Sequence, residues 1–177
     1  MNIIRTFAIA IALATSLSGC IIQSDNNSVF QHISIHDGSI AVHAHSGPDA
    51  IVTPDGDLSI DGKAVTVTAD QHDLLKLYYA QVMAIRNDGI ATGKAGVALA
   101  GHAIGSVASG LAQGNPDSIG PAIDARAKQV EAKAIAICND LVALREKQDA
   151  IANTLPAFKP YALLNSKETT DCKAHQD

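Results

Sequence analysis

The sequence predicts an α+β protein, a small N-terminal antiparallel β-meander followed by three helices that form a hairpin or bundle. Two observations carry this reading. Across residues 31–68 apolar and polar side chains alternate with period two, and Asp37-Gly38, Asp55-Gly56 and Asp61-Gly62 punctuate the run as hairpin turns. After Thr68 the period lengthens to that of a helix, and Thr68 and Gln71 stand at capping-box spacing.

Strands are expected at 31–36, 39–45, 50–53, 57–60 and 64–68, with Gly47-Pro48 separating the second from the third. A two-residue turn at Asp37-Gly38 sets Ile35 opposite Ile40, Ile33 opposite Val42 and His32 opposite His43, so that Ile33, Ile35, Ile40, Val42 and Ala44 share the core face. Leu74, Leu75, Tyr78, Val82 and Ile85 then form the apolar stripe of a first helix, which Asn87-Asp88-Gly89 is expected to end. A second helical segment, 90–113, carries Gly93, Gly96, Gly101, Gly105 and Gly110 among Ala, Val, Ile and Leu, with Lys94 and His102 as its only basic groups. Asn115-Pro116-Asp117 is expected to cap a third helix over about 118–153. Its Ile123, Ala127, Val130, Ala134, Ile137, Leu141, Leu144, Gln148, Ile151 and Leu155 alternate four and three apart as a heptad seam, which Pro156 and Pro160 end.

Three Phe, three Tyr and no Trp in 177 residues leave Ala, Ile, Leu and Val to build the core. A formal net charge of -5 argues against nucleic acid as a partner, and against a polybasic surface docked on anionic headgroups.

The N-terminus has the layout of a secretory signal: Arg5 supplies positive charge, residues 7–16 are apolar, and small residues precede Cys20. That run is too short for a comfortable membrane span. Leu17-Ser18-Gly19-Cys20 resembles the lipobox of a bacterial lipoprotein signal. The resemblance implies cleavage before Cys20, acylation of Cys20 on its sulfur and its amine, and a lipid anchor that two or more chains make stable. Because Ile21 rather than Asp follows, it implies the outer membrane, with the folded part facing the periplasm. An ordinary export signal, with Cys20 a chance thiol, is the alternative. The chain accordingly divides into a signal at 1–19, an acylated tether at 20–29, a β part at 30–68 and a helical part at 69–161 of one domain, and a polar tail at 162–177.

Lipid on Cys20 leaves Cys138 and Cys172 as an even pair in a compartment where disulfides persist. Joined, they close a loop of about 34 residues, a constraint of roughly 3 to 4 kcal/mol in the chain-entropy model, and pin the tail. Two free thiols, or a metal pair, are the alternatives.

Three features bear on function. His32, His36, His43 and His45 share the strand face opposite the core, where His32 and His43, with backbones about 5.5 Å apart, and His45 come within reach of one zinc or copper ion. The same four residues also suit a solvated polar face. Gly93, Gly101, Gly105 and Ser109 lie on one row of the glycine-rich helix and leave a bare face for close backbone approach. This helix either enters the bilayer or self-associates there, or packs flat against the third helix beside Ala127 and Ala134. Packing is favoured because the run is weakly apolar and His102 sits in its middle. The long heptad helix pairs within the chain or with a second copy.

No catalytic residue is assigned. Ser39, Asp37 and His36 are neighbours without a nucleophile-elbow context, and Asp55-Gly56-Asp57 with Asp61 lacks the remaining ligands of a calcium loop.

The lipobox, the run Val52-Thr53-Pro54-Asp55-Gly56-Asp57-Leu58-Ser59-Ile60-Asp61-Gly62-Lys63-Ala64-Val65, then Thr68-Ala69-Asp70-Gln71, the Gly-rich helix, Ile137-Cys138 and Leu155-Pro156-Ala157-Phe158-Lys159-Pro160-Tyr161 together resemble the YggN-like group of bacterial envelope proteins. The resemblance implies export, an envelope location and a β-then-α organisation, with no reaction attached, and the histidine-rich hairpin is not part of the matched pattern. The expected role is a non-enzymatic binding or assembly component, touching the membrane through Cys20 and a protein partner or second copy through the glycine-rich or heptad helix. A periplasmic metal-binding protein and, after it, a hydrolase are the alternative readings.

Overall fold

Asp37 and Gly38 both adopt positive φ, 49° and 77°, and Asp61 and Gly62 do the same at 54° and 69°. This is the two-residue turn whose backbone twist matches that of the flanking strands. In the computed structural model, which describes residues 32–113, 119–167 and 169–170, these turns join β1 (Ile33–His36) to β2 (Ser39–Val42) and β4 (Leu58–Ile60) to β5 (Lys63–Ala64). With β3 (Ala50–Val52) they form a five-stranded antiparallel sheet in sequence order. The register sets Ile33 opposite Val42 and Ile35 opposite Ile40, and the His43 amide donates to the His32 carbonyl at 2.8 Å. The strands are shorter than expected; β2 stops at Val42 and β5 keeps two residues, although the Val65 amide still donates to the Leu58 carbonyl at 2.9 Å, and Val65 and Val67 are partly buried against the core.

The third Asp-Gly pair works differently. Thr53, Pro54, Asp55 and Gly56 make a four-residue turn closed by the Gly56 amide on the Thr53 carbonyl at 3.0 Å, and Gly56 takes φ 90° as the extra residue before β4. This turn is pressed onto a helix: a methyl group built on Gly56 would lie 2.6 Å from the His72 carbonyl oxygen.

That helix is α1 (Ala69–Gln113). Its start is the expected capping box, with the Thr68 amide donating to Gln71 Oε1 at 2.9 Å and the Gln71 amide to Thr68 Oγ1 at 3.3 Å. α1 does not stop at Gly89. It runs unbroken for 45 residues, so the first two expected helices are one. The propensity loss at a single glycine, about 1 kcal/mol, is too small to end a helix whose partner continues alongside. α2 (Ile119–Thr154) is that partner, and the 3-10 helix Pro156–Tyr161 follows it. Pro156 removes an amide and holds Leu155 extended, which terminates α2.

The two long helices form an antiparallel hairpin. Gln71 Nε2 donates to the Thr154 carbonyl at 2.7 Å, Gln81 Nε2 donates to Asp140 Oδ1 at 3.0 Å, and Ala95 and Leu99 lie beside Gln129 and Val130. Only the near half of this hairpin is covered. Leu75, Tyr78, Val82 and Ile85 of α1 and Leu144 and Ile151 of α2 are buried with Ile40, Val42, Ala50, Val52 and Leu58 of the sheet, and Phe158, Tyr161 and Leu164 close the core. The heptad seam follows the same division, buried from Leu144 onward but exposed at Ala127 and Ala134. An untwisted helix drifts by about 20° per heptad from a 3.5-residue repeat, and the early seam is split accordingly: Val130 still lies beside Ala95 and Leu99 of α1 while Ala127 and Ala134 are exposed.

Two consequences are testable. Gly56→Ala combines a left-handed φ with a backbone collision and is expected to cost about 2 to 4 kcal/mol, whereas Gly62→Ala, also at positive φ but with open space around it, is expected to cost about 1 to 2. Urea unfolding of the two variants compares them directly.

Burial raises the pKa of the Tyr78 hydroxyl above its ordinary 10.0, and that of Tyr161 is raised by burial first and then by Asp49 and Asp61. The unfolded chain therefore ionises these phenols first. Their contribution is full below the unfolded pKa and is lost as pH rises toward the folded one, so stability should fall above about pH 10. Tyr78→Phe is expected to flatten that fall in unfolding curves taken between about pH 9 and 11.

Candidate functional site

Where the sheet ends at β1, a cleft of about 470 Å³ opens between the strand and the hairpin. Ile33 and Ile35 of β1 form one wall and Val82, Ile85 and Ile90 of α1 another. Leu141 and Leu144 of α2 close a side, with Arg86 and Gly89 completing the lining. Its size falls within the range of about 300 to 1,000 Å³ typical of small-molecule sites, and its walls are aliphatic. Nothing in the sequence reading pointed to it; Gly89 was expected to end a helix, and it instead lines this opening.

Beyond Ile90 the outer side of α1 continues as an uncovered row. Ile90, Val97 and Ile104 recur every seventh residue, Val97 and Ile104 are 75% and 73% exposed, and Val107 flanks them. Thr92, Ala95 and Leu99, on the opposite side of the helix, face α2. Gly93, Gly101 and Gly105 are exposed, and a methyl group built on any of them meets no atom within 4 Å. This overturns the expectation that the glycine row packs against the third helix beside Ala127 and Ala134. Small residues face α2 as well, but they are Thr92, Ala95 and Ala98; Gly93, Gly101 and Gly105 point elsewhere. Ser109, also exposed, donates its hydroxyl back to the Gly105 carbonyl at 2.7 Å, which hides its polarity within the helix. No helix of the described residues is long and apolar enough to cross a membrane.

By alternation with Ile33, Ile35, Ile40 and Val42, His36 and His43 lie on the face of the sheet opposite the cleft, whereas His32, just before β1, lines a small pocket with Tyr78, Gln148 and Leu164. His43 is held at both ring nitrogens, Nε2 2.9 Å from Ser34 Oγ and Nδ1 2.8 Å from Asp49 Oδ1. His32 and His45 meet edge to face with centroids 5.4 Å apart. His36 lies four residues from His32, about 13 Å along the strand. Among the described residues no group of three or more His, Cys, Asp or Glu side chains is arranged to hold a metal ion. With Nδ1–H donated to Asp49, Nε2 accepts the Ser34 hydroxyl, the order in which a nucleophile, a base and its orienting carboxylate stand in a hydrolase. Here the series lies on an open sheet face, with Asp49 46% exposed, and it ties the connection after β2 back to the hairpin. Sequence reading missed Ser34 and Asp49 because the pairing depends on a bend at Gly47 that returns Asp49 to His43.

Gln148, placed in the heptad seam as if apolar, is 1% exposed, and its amide exchanges two hydrogen bonds of 3.0 Å with the backbone of Leu164. It holds the segment after the 3-10 helix against α2. Cys138 is half-buried on α2 and disulfide-bonded. Cys20 and Cys172 lie outside the described residues, as do the signal, the tether, Asn115-Pro116-Asp117 and the end of the tail.

The architecture is therefore that of an α+β protein in which a β-meander sits on the near half of a long helical hairpin, with an aliphatic cleft at the sheet's edge. The chain belongs to a family described as proteins of unknown function (DUF2884), whose model matches residues 27–119, just over half of the chain. No curated protein and no solved structure matches it.

The half-buried Ser34–His43 pair with exposed Asp49 is expected to act on stability alone. Asp49→Ala should cost about 1 kcal/mol in urea unfolding. Hydrolysis of 4-nitrophenyl acetate should proceed equally with the unaltered chain and with Ser34→Ala, and a rate that collapsed in Ser34→Ala would assign a nucleophile instead.

Proposed function

We propose that the protein is a non-enzymatic binding or assembly component of the bacterial cell envelope, YggN-like in type. In this reading it is anchored by lipid on Cys20 to the outer membrane and faces the periplasm. The observation that carries the binding role is the uncovered apolar row on α1. Exposed apolar surface organised along one helix face is the usual mark of an interaction site, and here it projects past the sheet where nothing in the described chain covers it. Exposed glycines beside it permit close backbone approach by a partner. Leu17-Ser18-Gly19-Cys20 supports the anchor, and an anchor made of lipid leaves the helical hairpin free for contact. A disulfide between Cys138 and Cys172 fits the same compartment.

Val97→Glu and Ile104→Glu place charge on the row without touching the core. Each is expected to leave the unfolding midpoint within about 0.5 kcal/mol of the unaltered chain, as for other exposed sites. Photocrosslinking from position 101 in cells should give discrete adducts that both substitutions abolish. Cys20→Ala should move the protein from the membrane fraction to the soluble one. Adducts that survive both charge substitutions would remove the row from the proposal, and membrane retention of Cys20→Ala would remove the lipid anchor.

A further inference from the structure

The cleft at β1 is distinct in character from the open row beyond it, because it is walled on three sides. Ile85 and Leu144 are almost fully buried beneath it, which closes the floor, and Ile33 and Ile35 lie partly buried across from them. Arg86 is the only charged residue of the lining, is exposed, and forms no ion pair among the described residues. Gly89 stands one turn further on, within an unbroken helix where glycine lowers stability relative to alanine. Neither close packing nor a positive φ explains it, since a methyl group there would meet no atom within 4 Å. What the absent side chain does is leave the cleft open between Arg86 and Ile90.

We infer that this cleft is a binding site for a single-chain anionic amphiphile, its acyl chain lying between β1 and the helix pair and its head group on the Arg86 guanidinium. Aliphatic walls remove methylenes from water without imposing polar positions along the chain. The guanidinium fork donates to a carboxylate or a phosphate in the bidentate manner that an ammonium does not. The inference is independent of the partner surface proposed for the open row.

The test uses the full chain carrying Cys20→Ser, so that no acyl group on Cys20 competes, and cis-parinaric acid as fluorescent probe. Saturable binding is expected in the micromolar range, displaced by laurate or by a lysophosphatidylglycerol, with the effective competitor identifying a carboxylate or a phosphate head. Gly89→Leu fills the cleft from the helix side while raising helix propensity, and should weaken the probe by about tenfold or more without lowering the unfolding midpoint. Ile35→Trp fills it from the strand side and should do the same. Arg86→Gln should weaken the anionic competitor by about tenfold and leave 1-dodecanol unchanged. The proposal is overturned if no saturable binding occurs or if neither filling variant weakens it. Loss of binding in Val97→Glu with retention in Gly89→Leu would likewise overturn it, by placing the probe on the open row. Equal effects of Arg86→Gln on laurate and dodecanol would remove the anionic head group.

Discussion

Phe158 is fully buried, with its ring edge to face against Tyr78 at 5.6 Å between centroids and tilted against Tyr161 at 5.9 Å. In a chain with six Phe and Tyr residues and no Trp, half of these rings stand at one junction. Each such pair contributes about 0.5 to 1.5 kcal/mol beyond the area it buries. The position matters more than the sum. Tyr78 belongs to α1, Phe158 and Tyr161 follow α2, and Tyr161 reaches the sheet by donating its hydroxyl to the Pro48 carbonyl at 2.8 Å. Tyr79, next along α1, donates to the Gly38 carbonyl of the first turn at 2.6 Å. The sheet is thus seated at the end of the hairpin where the chain enters α1 and leaves α2.

Seating it there determines what remains uncovered. The turn after β3 touches α1 at His72 and Lys76, the turn after β1 touches it at Tyr79, and β1 itself lies over Val82 to Ile90. Five strands at their normal spacing span about 20 Å, whereas a 45-residue helix is about 67 Å long. A sheet of this width cannot cover α1, and the cleft forms where its last strand ends. The same face of the helix then continues beyond the cleft as the open row, because the apolar pattern outlasts the strands.

Much of this arrangement is written in local chemistry. The Asp-Gly pairs demand positive φ and so set two hairpin registers, from which the core face and the histidine face follow by alternation. Thr68 and Gln71 mark the helix start for an equally local reason. What could not be read depends on longer range. Gly89 looks like a stop unless α2 is known to run alongside it. The glycine row looks like a packing face because spacing defines a face without saying what lies opposite. Gln148 looks like a flaw in an apolar seam until Leu164, sixteen residues on, presents its backbone. Each error concerns which partner a pattern meets, and periodicity carries no information about partners.

The glycines themselves separate two physical roles. At Gly56 the backbone is left-handed and a carbonyl stands where a side chain would be, so the fold requires glycine there. At Gly89, Gly93, Gly101 and Gly105 the conformation is helical and the space is empty. Alanine at each would favour the helix by about 1 kcal/mol, a total of several kcal/mol across one segment. That loss is not offset by any contact within the described residues, and it is concentrated where the sheet no longer supports α1. Glycine lowers the helix surface and leaves its backbone open to close approach. The sites at which the fold is least stabilised and the sites at which it is most open are therefore the same, and they begin at the cleft.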